Sequence, residues 1–283
     1  MKLISTINEV RQFSRQARAS GHALGLVPTM GALHEGHLSL VRAARRNCQS
    51  VVVSIFVNPT QFGPTEDLGR YPRDLASDCA LLQQEAVDCV FSPSVEEMYP
   101  GPAVTWVTVE GMSERLCGRS RPGHFRGVTT VVAKLFHLVK PDVAFFGQKD
   151  AAQAAIIRRM VRDLNFPVRI EVMPIVREPD GLALSSRNVY LSRQERQSAL
   201  VLYRSLKRVE SDFRHGERRS DQLIAAATEE FAKEPAVRLD YFEIVDPDSL
   251  EPVRTVNRRS LAALAAFVGN TRLIDNIFLE PRA

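Results

Sequence analysis

Apolar positions in the first half of the chain form short continuous runs separated by stretches of helical spacing. Residues 24–29 read as a strand, and the β-branched run at 51–57 reads as a strand buried on both faces. A helix is predicted between them over 37–47, and a third short strand over 88–91. In the stretch 71–87, Leu75, Cys79, Leu82 and Ala86 keep a helical spacing. Val128, Val131, Val132, Leu135, Phe136 and Val139 follow the i, i+3, i+4 rule, and Pro141 stops that helix. Residues 143–146 read as another strand, after which Asp150 is placed to cap a helix running to Leu164. Strands alternating with helices of this length predict an α/β fold, a Rossmann-like parallel sheet with helices on both faces. Such sheets take their ligands at the carboxyl ends of the strands.

The second half has a different rhythm. Pro179-Asp180-Gly181 is a turn between apolar runs, and Ser192 with Glu195 forms a capping box that opens a long helix toward Arg214. A second helix over 220–233 precedes three strand candidates at 239–245, 261–268 and 273–279. The expected division is therefore a domain over 1–176 and a smaller α+β domain over 177–283.

Composition changes this picture little. Of 283 residues, 45% are hydrophobic and 25% charged, which excludes a disordered or collagen-like chain. No apolar run approaches the ~20 residues of a membrane helix. The polar start Met1-Lys2-Leu3-Ile4-Ser5-Thr6 does not read as a signal peptide, so a cytoplasmic protein is expected. The net charge of +4 comes from arginines spread along the chain, with only six lysines among the 37 basic residues. That scatter, with one Trp and five Tyr, argues against a nucleic-acid-binding surface. The four cysteines show neither Cys-x-x-Cys spacing nor the density of a disulfide scaffold, and reduced thiols are expected.

The sharpest chemical feature is Met30-Gly31-Ala32-Leu33-His34-Glu35-Gly36-His37, placed where the first predicted strand gives way to a helix. Backbone amides and the helix dipole make such a start an anion site, and Gly31 and Gly36 permit close backbone approach. Two histidines three residues apart can donate hydrogen bonds to phosphate oxygens as charge builds. Helix capping and a metal pair compete for the same histidines. The metal pair lacks the i, i+4 spacing and following base of His-Glu-x-x-His, and nucleotide binding stands ahead of both. Neither Gly-x-Gly-x-x-Gly nor a P-loop is present. Lys149 lies between a strand and a helix, where a point charge reaches phosphates.

His34-Glu35-Gly36-His37 resembles the His-x-Gly-His signature of the nucleotidyltransferase superfamily. The longer stretch Pro28–Leu40 is similar to the pantothenate synthetase (pantoate–β-alanine ligase) family. Four further segments agree in order: residues 56–62, 121–128, 145–150 and Ser185-Ser186-Arg187-Asn188. The resemblance implies ATP-dependent condensation of pantoate with β-alanine through pantoyl adenylate, with release of AMP and pyrophosphate. It implies Mg²⁺, a homodimer, a nucleotide-binding first domain and a second domain acting as a lid.

By the same resemblance, Met30 to His37, Gly147, Gln148, Lys149, Asp150, Val176, Leu184, Ser185, Ser186 and Arg187 hold ATP. His37, His34 and Lys149 are the expected catalytic groups. Gln61 and Gln153 are expected on pantoate or β-alanine, with Asn58, Tyr71, Arg121 and His124 as further candidates. Loop and helix-cap roles compete for these last four. Spacing identifies no metal ligands; Asp78 is a candidate by its neighbourhood alone, and phosphate oxygens compete for that role. Leu184 stands where many relatives carry methionine, and Cys117 where some carry an acidic residue. Two other readings share some of these residues: a transferase that passes a nucleotidyl group to a phosphorylated acceptor, and an RNA-binding module without turnover.

Overall fold

A computed structural model describes residues 1–64 and 66–281. The chain divides into two compact units. The first holds Met1–Ser113, Arg121–Gly147 and Ile156–Pro174, and the second holds Glu114–Ser120, Gln148–Ala155 and the chain from Ile175 onward. The second unit thus includes two segments that lie before residue 176.

The first unit is built on a wholly parallel sheet of β1 (Lys2–Ile4), β2 (Leu24–Thr29), β3 (Ser50–Ile55), β4 (Cys89–Phe91), β5 (Val143–Gly147) and β6 (Arg169–Met173). The strand order is β1-β4-β3-β2-β5-β6. Val51, Val52 and Val53 are all fully buried. Successive strand residues point to opposite faces, so both faces of the sheet are covered here. Covering helices are α1 (Ile7–Ala19), α2 (Glu35–Asn47), α3 (Leu75–Gln84), the one-turn α4 (Val95–Met98), α6 (His124–Val139) and most of α7 (Ala151–Asp163). The one-turn α5 (Cys117–Ser120) belongs to the second unit.

The chain leaves β2 toward β3 on one side, while β5 pairs with β2 on the other. That reversal, between β2 and β5, is the topological switch point of the sheet, and the loop after β2 emerges there.

Three differences from the sequence-based expectation have local causes. The strand expected to reach Val57 ends at Ile55, ahead of a 3-10 turn over Pro59–Gln61 that Asn58 caps. The helix expected from Tyr71 starts at Leu75, because the Asp74 carboxylate accepts from the Ser77 amide at 3.0 Å and fixes the first turn. Strands β1 and β6 lie outside the predicted set: they are the two edges of the sheet, one three residues long and the other a half-buried alternation of Ile170 and Val172 with Arg169 and Glu171.

In the second unit, β7 (Val237–Val245), β8 (Ser260–Val268) and β9 (Thr271–Leu279) form an antiparallel sheet in that order. Helices α8 (Arg193–Arg214) and α9 (Ser220–Ala232) bury Leu202, Leu206, Leu223 and Ala227 with Ala262 and Leu264 of the central strand. The Ser192 capping box is formed as expected: Glu195 N–H donates to Ser192 Oγ at 3.2 Å, and Ser192 N–H to Glu195 Oε2 at 2.8 Å.

Candidate active site

The loop after β2 turns through positive φ at Gly31 and Ala32, 82° and 50°, before α2 begins. His34 is the N-cap of α2, and its Nδ1 accepts from the Gly36 amide at 3.1 Å. His37 reaches back, its Nδ1 accepting from the His34 amide at 3.3 Å. The two rings lie 4.1 Å apart between centroids. Capping and phosphate recognition, weighed as rivals from the sequence, are therefore compatible. A ring that accepts at Nδ1 carries its neutral-form proton on Nε2, where it is a donor. The cap sets the tautomer of both histidines.

Asp78, in the first turn of α3, supports this loop from below. Its Oδ2 accepts from the Ala32 amide at 3.0 Å and its Oδ1 from the Leu33 amide at 2.8 Å. Burial pushes the Asp78 carboxyl above its ordinary value, and the two amides pull against that shift. A cavity of about 310 Å³ opens beside it, lined among others by Met30, Gly31, Phe56, Arg73 and Ser92. Glu35 points elsewhere, pairing with Arg42 at 3.2 Å.

Gln61 ends the turn after β3 and is buried. Its orientation follows from a chain of fixed partners. The Gly127 carbonyl can only accept, so the Asn58 atom 3.1 Å away is the amide nitrogen. Asn58 Nδ2 also donates to Gln61 Oε1 at 3.2 Å, while Asn58 Oδ1 accepts from the Tyr99 hydroxyl at 3.0 Å. That leaves Gln61 Nε2 as the outward donor, 3.0 Å from the weak acceptor Met30 Sδ. Asn58 itself is 1% exposed, so it supports Gln61 from behind. Tyr71 is buried with its ring edge-on to Phe62, 6.0 Å between centroids. Arg121 and His124 meet the backbone of Gln61 and the carboxylate of Glu66.

Gln148, Lys149 and Asp150 form a 3-10 turn in the second unit, and Gln153 follows, half-buried, in the first turn of α7. Lys149 Nζ stands 3.6 Å from Asp150 Oδ1. Asn276 of β9 anchors the turn: its Nδ2 donates to the Gln148 and Lys149 carbonyls at 2.9 and 3.1 Å. Beside it, buried Asp275 takes a two-pronged contact from Arg177 at 2.6 and 2.8 Å. Burial pushes the Asp275 carboxyl up against the pull of Arg177.

A short hairpin brings Val176 and Leu184 together. The Leu184 amide donates to the Val176 carbonyl at 3.0 Å across the expected turn at residues 179–181. Ser185 then caps a 3-10 turn, accepting from the Arg187 amide at 3.3 Å, and Asn188 donates to the Ala183 carbonyl at 3.1 Å. Cys117 is buried with Sγ 3.2 Å from the Tyr241 hydroxyl.

Glu66, Gly127, Tyr99, Arg177, Asp275 and Asn276 are the supporting residues that the sequence reading did not single out. A weak signal existed for one pair: Asp275-Asn276 interrupts an otherwise apolar strand pattern.

A parallel sheet with a donor-rich helix start at its switch point is the arrangement of a ligand-binding α/β enzyme. The model of the Pantoate-beta-alanine ligase family matches residues 2–278. Pantothenate synthetase of Acidobacterium capsulatum is 58% identical over 99% of this chain and 97% of its own length. That of Thermotoga petrophila is 58% identical over 99% and 100%. Among solved structures, pantothenate synthetase of Thermus thermophilus matches with a TM-score of 0.95 at 48% identity, covering 99% of this chain and all of that one. Pantoate-beta-alanine ligase of Francisella tularensis, solved with β,γ ATP and β-alanine, matches at 0.81 and 33% identity over 98% and 97%. The chain belongs to the pantoate–β-alanine ligase family. It is an amide-bond-forming ligase that condenses pantoate with β-alanine.

Proposed function

We propose that the reaction runs through pantoyl adenylate, with ATP held by Met30 to His37, Gly147 to Asp150, Val176 and Leu184 to Arg187. The observation that carries this reading is the reciprocal cap of His34 and His37, which presents two Nε2 donors at the start of α2. A pantoate carboxylate oxygen attacks the α-phosphorus, and the bond from that phosphorus to the β-phosphate oxygen breaks, releasing pyrophosphate. The neutral amine of β-alanine then attacks the acyl carbon. The C–N bond forms, the bond from carbon to the AMP oxygen breaks, and the amine loses one proton.

In this reading His37 and His34 donate to phosphate oxygens that gain charge, and the Lys149 ammonium supplies a point charge. Pantoate rests on Gln61 Nε2 and on Gln153, since its hydroxyls and carboxylate offer acceptors that amides can read. Asn58, Tyr71, Arg121 and His124 shape this pocket from behind.

Among the described residues no group of three His, Cys, Asp or Glu is gathered for a metal. The donor set suits Mg²⁺ carried mainly by the phosphates, with Asp78 as the one carboxylate, because each of its oxygens keeps a lone pair beside its amide bond. When bound, the ion neutralises phosphate charge. The first unit is read as the nucleotide-binding half and the second as the closing half. A cytoplasmic homodimer is the proposed working form, and the four free thiols suit a reducing compartment.

ATP–pyrophosphate exchange with labelled pyrophosphate, β-alanine omitted, tests the scheme. Exchange that requires pantoate supports adenylate formation. No exchange while ATP still binds would exclude it and turn the search to phosphorylated acceptors.

A further inference from the structure

Arg121-Pro122-Gly123-His124 forms a turn in which the His124 amide donates to the Arg121 carbonyl at 3.1 Å and Gly123 takes φ 81° and ψ −10°. Those angles, with Pro122 before the glycine, define a type II turn. It brings the side chains at its two ends together: Arg121 Nη1 lies 3.0 Å from His124 Nε2. A guanidinium can only donate, so Nε2 is the acceptor and the imidazole proton sits on Nδ1. That N–H points at the Gln61 carbonyl oxygen, 2.8 Å away. The neutral Nδ1–H tautomer satisfies both contacts; an imidazolium would set its Nε2–H against the guanidinium.

Arg121 is in turn held by Glu66, with Nε–Oε1 2.7 Å and Nη2–Oε2 2.6 Å. The Arg121 side chain is 14% exposed and that of Glu66 22%. Burial disfavours the Glu66 carboxylate, yet the hydrogen bonds and charge of Arg121 hold it below the ordinary carboxyl range. The order of support runs from Glu66 to Arg121, to His124, to the backbone of Gln61. None of the three side chains needs to touch substrate to matter.

We propose that His124, oriented by the Arg121–Glu66 pair, is a positioning residue that fixes the Gln61 backbone and so aims the Gln61 amide at the acyl-acid substrate. This rests on the reading that Gln61 binds pantoate, and the experiment separates the two. Initial rates are measured for the wild type, Gln61→Ala, His124→Ala, His124→Asn and the double variant Gln61→Ala/His124→Ala.

His124→Ala is expected to raise KM for pantoate about five- to tenfold, the weight of one neutral hydrogen bond, with KM for ATP unchanged. His124→Asn, which keeps an N–H near the Gln61 carbonyl, is expected to recover most of that loss. In the Gln61→Ala background, removing His124 is expected to add less than about a twofold change, because a residue acting through Gln61 has nothing left to aim. Multiplying effects in the double variant would overturn the proposal, as would a pantoate KM that ignores His124 while responding to Gln61. A pantoate KM indifferent to Gln61→Ala would overturn the binding reading and this inference with it.

Discussion

Gly127 of α6 and Thr60 of the turn after β3 are packed backbone to backbone. A Cβ placed on Gly127 would lie 2.6 Å from the Thr60 carbonyl carbon and 2.7 Å from Gln61 Cα. Real Cβ atoms do not approach that closely, and the obstacle is main chain that has no rotamer to change. Gly127→Ala must push the turn that carries Gln61 away from its helix. The expected result is a loss of about 1–3 kcal/mol in stability from overpacking, together with a raised KM for pantoate. Denaturant melts and initial rates on the same preparation check both halves.

His34→Asn separates two jobs that share one side chain. Asparagine is among the best N-caps, so the start of α2 should survive and thermal stability should stay within about 0.5 kcal/mol of wild type. The Nε2 donor is gone, and pantoate-dependent exchange should slow at least tenfold. His37→Ala, which removes the partner donor, should slow exchange by about 10²–10³-fold. Equal rates in both variants and the wild type would remove the histidines from the chemistry.

Asp78→Asn puts the support of the Ala32–Leu33 backbone at risk. An amide side chain can accept from one of those N–H groups but turns its own NH₂ toward the other, leaving a buried donor unpaired at about 1–3 kcal/mol. KM for ATP should rise as the loop loosens. Titrating Mg²⁺ in the same variant reads the second role: an unchanged half-saturation concentration would leave Asp78 as a loop support alone.

Glu66 sets a pH signature. Its folded-state pKa lies below the ordinary 4.5. A depressed carboxyl adds stability above the unfolded-state value, and that stability is lost as pH falls through the folded-state value. The stability gap between wild type and Glu66→Gln should therefore be full at neutral pH and shrink below about pH 4.5. Urea melts between pH 3 and 7 test this. A gap that widens toward acid would refute the sign.

What could be read from the sequence follows the range of the interactions. The Met30–His37 loop was legible because its determinants are neighbours: two glycines, a polar cap and the strand before them. The same holds for the Ser192 cap and the turn at residues 179–181. Asp78 meets Leu33 across 45 positions, Glu66 meets Arg121 across 55, and Asn276 meets Lys149 across 127. Nothing in local pattern or propensity encodes such pairings; they exist only after the sheets have formed. Arg121 and His124 read from the sequence as residues of a loop able to close over substrate. The structure has both meeting the Gln61 carbonyl, a contact that depends on tautomer and reach rather than residue type.

The hold of Asn276 on Lys149 also has a meaning for biosynthesis. The lysine stands at position 149, and the side chain that pins its backbone follows 127 residues later, on β9. A ribosome that has already delivered the whole parallel sheet has not yet delivered Asn276, the anchor of the Lys149 turn. A chain interrupted before β9 would lack the side chain that holds the Gln148 and Lys149 carbonyls. A nascent chain thus gains this anchor only once β9 has been made.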